Sequence, residues 1–111
     1  MNDADRWRLG HIADALNSAM NFARSRQRSD LDTDQMLVFA LMRAIEIVGE
    51  AASKVSSEGR AELADLPWPA IVGMRDRLVH AYFSVDLDIL WDTVTQAVPP
   101  LAKRVTEFLG N

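Results

Sequence analysis

The sequence predicts an all-α fold, an antiparallel up-down four-helix bundle with a short additional helix. Apolar residues recur at steps of three and four over long stretches, and strand-type alternation is absent. Glycine is scarce, with only five in 111 residues, so few turns are available to break the chain into short elements. The polar connections between the periodic stretches are short, as antiparallel neighbours require. No linker, repeat or low-complexity segment divides the chain, which reads as a single domain over 1–111.

The first helix is expected from about Asp3 to about Arg26, with Leu9, Ile12, Leu16, Met20 and Ala23 on one apolar stripe. A polar turn follows, SRQRSDLDTD, in which Asp32 and Gln35 read as a capping box opening the second helix. That helix, QMLVFALMRAIEIVGEAASKV, is apolar nearly all round, as suits a central element. Its polar exceptions Arg43, Glu46 and Glu50 share a face. They either pair in solvent, Arg43 with Glu46, or look into a cleft.

The segment SSEGRAELADL reads as a turn and a short helix. The next helix, PWPAIVGMRDRLVHAY, begins with two prolines in its first turn, where no hydrogen-bond donor is lost. Ile71, Met74 and Leu78 form its inner face. Gly73 inside it costs about 1 kcal/mol relative to alanine, which suggests close approach by another helix. The last helix starts near Asp86, with Leu87, Leu90, Trp91 and Val94 inward. Pro99-Pro100 must kink or restart it, and Gly110 ends it.

Composition narrows the chemistry. There is no cysteine, which excludes disulfides and thiolate catalysis. His11 and His80 are too far apart for a local zinc signature, so no metal site or cofactor is expected. A net charge of −4 argues against a broad electrostatic grip on nucleic acid and leaves room for a small local anion site. No apolar run reaches the ~20 residues of a membrane span, and no signal segment is visible, so a cytoplasmic protein without a membrane partner is expected.

The stretch GMRDRLVHAYFSVD concentrates Arg75, Asp76, Arg77, His80 and Tyr82. On a helix, Asp76 and His80 share a face, so the aspartate can orient the imidazole. Arginine forks onto phosphate oxygens, and histidine moves protons near neutral pH. RNA carries its own nucleophile in the 2′-hydroxyl, so such a pair can cleave it without metal. One histidine per chain supplies an acid or a base, not both. Two copies facing across a two-fold axis supply both, which predicts a homodimer. The plainer reading of the same residues is a surface network. His11, the acidic runs DLDTD and DLD, and the three tryptophans are best read as surface, capping, and core or interface features respectively. Arg77 and the group Arg24, Arg26 and Arg28 either extend an RNA path or are solvated.

Arg75-x4-His80-x-Tyr82 resembles the RX4HXY motif of HepT-like proteins, in the HEPN superfamily of small helical domains. The segments EIVGEAASKVS, LPWPAIVGMRDRLVHAYFSVDLDILWDTV and PPLAKRV resemble the family in order and spacing. The resemblance implies a toxin of a type II toxin–antitoxin pair, a dimeric, metal-independent ribonuclease acting on RNA. Arg75 and His80 are then the catalytic pair. Asp76 stands where relatives often carry asparagine, and Glu46 and Glu50 are candidates to support Arg75 by hydrogen bonding. The resemblance also implies an MNT-type nucleotidyltransferase antitoxin that transfers AMP from ATP to Tyr82. The rival readings are a noncatalytic nucleotide-binding subunit that docks a nucleotidyltransferase, and a purely structural helical dimer.

Overall fold

The computed structural model describes residues 1–79 and 84–110. The fold is all-α, and the described residues contain helices and turns with one isolated β-bridge. Helix α1 spans Asp3–Ala23, and the Asn2 side chain caps it by accepting from the Asp5 N–H at 2.7 Å. Leu9, Ile12 and Leu16 are buried as the stripe predicts, with Met20 and Ala23 half-buried against the same core. The helix ends before Arg26 because the backbone turns at Arg24, and Ser25 takes a left-handed φ of 61°.

A 3-10 turn, Arg28–Asp32, leads to α2 (Gln35–Ser53). The capping box lies here, between Gln27 and Asp30, and not between Asp32 and Gln35. Asp32 instead pairs with Arg28 at 3.0 Å, and Asp34 caps α2 by accepting from the Leu37 N–H at 3.0 Å. Leu37, Leu41, Ala44, Ile45, Val48 and Ala52 of α2 are buried. The helix is not enclosed on every side, however: Met36 is 83% exposed and Phe39 61%.

The short helix α3 (Ser57–Glu62) is capped by Ser56, whose hydroxyl oxygen accepts from the Gly59 N–H at 3.0 Å. Ser56 also donates its own N–H and O–H to Asp5, a carboxylate only 2% exposed near the start of α1. Those two bonds hold the Asp5 carboxyl below its ordinary value, because they favour the charged form. Gly59 is required beside them, since a Cβ there would stand 2.5 Å from Asp5 Oδ2.

Helix α4 spans Trp68–Val72, with prolines in its first turn as expected. Trp68 is buried, and its indole donates to the Leu63 carbonyl at 3.0 Å. The Arg60 guanidinium lies 5.4 Å over the ring and donates to the Ala52 carbonyl, so it also caps the end of α2. The expected long helix over 67–82 is not continuous. It gives way at Gly73, and the N–H groups of Met74 and Leu78 bond three residues back in successive turns. Val79 pairs with Val85 as the isolated antiparallel bridge, and Asp86 N donates to Leu78 O at 2.8 Å.

Helix α5 (Leu87–Asp92) is capped by Asp86, whose side chain accepts from the Ile89 N–H. A π turn, Thr93–Ala97, connects it to α6 (Val98–Phe108). The restart expected at Pro99-Pro100 takes this form. Proline offers no N–H to the preceding turn, and the helix widens just ahead of the pair. Gly110 ends the rod with a φ of 86°. Arg6 of α1 donates to the Leu109 carbonyl at 3.3 Å, so α1 and α6 run antiparallel.

The core runs between α1, α2 and α6 through Leu9, Leu16, Leu41, Ile45, Val98 and Val105. Burying each such side chain contributes roughly 1.5–3 kcal/mol, against about 0–1 kcal/mol for an exposed ion pair. Apolar packing therefore sets the arrangement, and pairs such as Arg104–Asp65, at 2.8 Å, only trim its surface. No described helix is long and apolar enough to cross a membrane.

Candidate active site

Arg75 projects from the turns that follow α4, over the outer face of α2. Close packing brings the two segments together. Gly49 of α2 faces the end of α4, and a Cβ there would meet the Val72 carbonyl oxygen at 3.2 Å. The close approach expected of Gly73 thus belongs to Gly49, while Gly73 serves as the C-terminal cap of α4. Its signal in the sequence was a glycine in mid-helix, EIVGEAA, where it costs about 1 kcal/mol against alanine unless something needs the space.

The result is a shallow groove of about 390 Å3 lined by Glu46, Gly49, Glu50, Ser53, Val72, Arg75 and Asp76. Arg75 Nε stands 3.6 Å from Glu46 Oε2, and its Nη1 stands 3.5 Å from Asp76 Oδ1. Both distances are too long for direct hydrogen bonds. The guanidinium is about half exposed and held by charge alone. Glu46 also forms a short ion pair with Arg43. The two readings of the Arg43–Glu46–Glu50 face therefore coexist. Arg43 and Glu46 pair with each other, and Glu46 and Glu50 also line the groove of Arg75.

Other arginines are committed elsewhere. Arg26 donates to Asp34 at 2.6 Å, Arg28 to Asp88 at 2.7 Å, and Arg24 to Asn21 at 2.8 Å. These bonds keep the Arg24, Arg26 and Arg28 group out of the groove. Arg77 is two residues from Arg75 but lines a separate cleft with Met74 and Arg104. Asp76 is exposed, and the helix that would have stacked it under His80 does not continue through residues 73–78. His80 and Tyr82 lie outside the described residues.

The remaining flagged residues divide clearly. Trp68 belongs to the core, Trp91 is half-buried against it, and Trp7 is 66% exposed. His11 packs edge-on against Trp7, with ring centroids 4.3 Å apart. The acidic runs act as caps, through Asp34 and Asp86. Among the described residues, no three histidine, aspartate or glutamate side chains are grouped so as to hold a metal ion.

These features define a small all-α domain with one loosely held arginine at a groove, just ahead of a histidine and a tyrosine in sequence. Residues 12–108 match the family Ribonuclease HepT-like, and the chain belongs to that family. It is 36% identical over 101 residues to "Putative RNase TTE0752" of Caldanaerobacter subterraneus subsp. tengcongensis, covering 91% of this chain and 90% of that one. It is 38% identical over 93 residues to "Probable ribonuclease HepT" of Thermococcus cleftensis, covering 84% of each. Identity is 32% to "Putative RNase MJ1380" of Methanocaldococcus jannaschii, over 87% of this chain and 89% of that one. No solved structure matches it significantly.

Proposed function

We propose that this chain is the toxin of a type II toxin–antitoxin pair. In this reading it is a metal-independent endoribonuclease working as a homodimer in the cytoplasm. The observation that carries the reading is the state of Arg75. Its guanidinium is half exposed at a groove and makes no short bond, whereas Arg26, Arg28 and Arg104 are closed onto carboxylates. A phosphate can engage its fork by displacing only the loose contacts with Glu46 and Asp76.

The chemistry follows from the residues. His80 takes the proton of an RNA 2′-hydroxyl, and that oxygen attacks the adjacent phosphorus. Arg75 stabilises the added negative charge on the phosphoryl oxygens. His80 of the partner subunit protonates the departing 5′-oxygen, leaving a cyclic phosphate and a free 5′-hydroxyl. Glu46 positions Arg75 between turnovers, and Asp76 tempers its charge. An MNT-type nucleotidyltransferase neutralises the toxin by transferring AMP from ATP to Tyr82, with pyrophosphate leaving. The attached phosphodiester then occupies Arg75 in place of RNA.

The test is cleavage of RNA by the purified protein in chelator, with its oligomeric state measured by light scattering. Arg75→Ala and His80→Ala should each lower the rate at least about a hundredfold while the dimer persists. Equal cleavage by wild type and both variants would sink the assignment. A second reading, a noncatalytic nucleotide-binding subunit, draws on the carboxylates Glu46, Glu50 and Asp76 around Arg75. Retention of ATP or AMP without any RNA turnover selects it.

A further inference from the structure

We propose that the cleft on the opposite side of the Arg75 turn is a binding site for a small amphiphilic anion, an apolar body carrying one carboxylate. The cleft has a volume of about 410 Å3 and lies between α4, the turns after it, and the start of α6. That size falls in the range of small-molecule sites, roughly 300–1,000 Å3. Its floor is the buried trio Ile71, Met74 and Leu101. Pro67 and Pro100 form an exposed and conformationally stiff rim.

The charges at its mouth select the ligand's head group. Arg104 is neutralised by Asp65 through two bonds, at 2.8 and 3.1 Å. Arg77 lines the same cleft and is exposed, and its guanidinium has no hydrogen-bond or ion-pair partner among the described residues. An apolar floor with one uncommitted guanidinium at its edge fits an apolar molecule with a single negative end. It fits a polyanion poorly, because most of the lining offers no hydrogen-bond donor. The cleft is also distinct from the groove of Arg75. Met74 and Arg77 face one way and Arg75 and Asp76 the other, so the same turn separates the two sites.

The probe is 2-naphthoate, titrated calorimetrically against the intact protein and followed by NMR of the Ile71, Met74 and Leu101 methyl groups. Its neutral analogue 2-naphthamide has the same body without the charge. Naphthoate should bind, shift the methyl groups of those three residues, and bind about tenfold more tightly than the amide. Arg77→Gln should remove that preference, and Ala70→Trp, which fills the cleft from an exposed position of α4, should abolish binding of both. Circular dichroism establishes that each variant is folded. If no naphthoate binds, if the methyl shifts fall elsewhere, or if Arg77→Gln retains the full preference for the anion, the site is refuted. These readouts involve neither RNA nor Arg75, so they stand or fall apart from the ribonuclease reading.

Discussion

The Glu46 carboxylate stands 3.6 Å from the Arg75 guanidinium, joining the middle of α2 to the turns beyond α4. At that distance, with both groups partly exposed, the pair is worth under about 1 kcal/mol of stability. Its larger effect is on charge. Glu46, Glu50 and Asp76 surround one arginine in a groove proposed to receive a polyanion.

Replacing Glu46 by glutamine should therefore leave the melting temperature nearly unchanged and strengthen RNA binding about fivefold at low salt. Fluorescence anisotropy in a His80→Ala background, where the proposed cleavage should be blocked, measures this. Weaker binding in the Glu46→Gln protein would mean that Glu46 holds Arg75 in place more than it repels the substrate.

Gly49→Val should destabilise the protein by roughly 1–3 kcal/mol in urea unfolding, because overpacking here meets backbone. The obstruction is the Val72 carbonyl, 3.2 Å from where even a single Cβ would sit. The variant should also lose RNA cleavage beyond what its stability explains, since the turns that carry Arg75 follow directly from the end of α4.

Asp5, Asp34 and Asp65 all titrate below the ordinary 3.8, Asp5 through Ser56 and the others through Arg26 and Arg104. A lowered folded value means the charged form is favoured by folding. That stability is fully present above the ordinary carboxylate range and is lost as pH falls through the lowered values. Unfolding followed from pH 7 to pH 2 should show a loss beginning below about pH 4. Asp5→Asn should flatten this acid limb. Ser56→Ala, which also removes the cap of α3, should cost about 1 kcal/mol at neutral pH.

Trp68→Phe should cost about 1 kcal/mol in chemical unfolding, since it removes the indole's bond to the Leu63 carbonyl at 3.0 Å and leaves that buried oxygen with the Leu66 N–H alone. It also trims the ring face under Arg60. Arg60→Lys should be milder, because lysine keeps a charge over the ring but loses the fork.

The fold was legible wherever one face repeats. Leu9, Ile12 and Leu16 announced α1, and Asp86 announced the start of α5, because burial and capping act through local spacing. The break after α4 was hidden by that same spacing. Ile71, Met74 and Leu78 step by three and four and are all buried, yet only the first lies in a helix. A run of turns can bury the same residues, and Gly73 as a cap was the sole local clue. The exposed side of α2, with Met36 and Phe39, was illegible because apolarity does not say what covers it. Within the site, Arg75 stood out by its chemical company. The contact with Glu46 depends on how two segments pack, and one chain's local pattern carries little of that.

The wide turn before Pro99-Pro100 has a consequence for how α6 meets the core. Leu90, Val94 and Val98 are all buried at steps of four, and in an unbroken α-helix two such steps drift by about 80°. The Val98 N–H reaches back five residues, to the Thr93 carbonyl, and this absorbs one residue's rotation of about 100°. Val98 thereby returns to the azimuth of Leu90, and Leu101 and Val105 inherit it. The segment behaves as a phase corrector. Losing one residue there, such as exposed Gln96, lets the rod close into ordinary helix with α6 still facing inward, whereas a deletion farther along swings the rest of α6 out toward solvent.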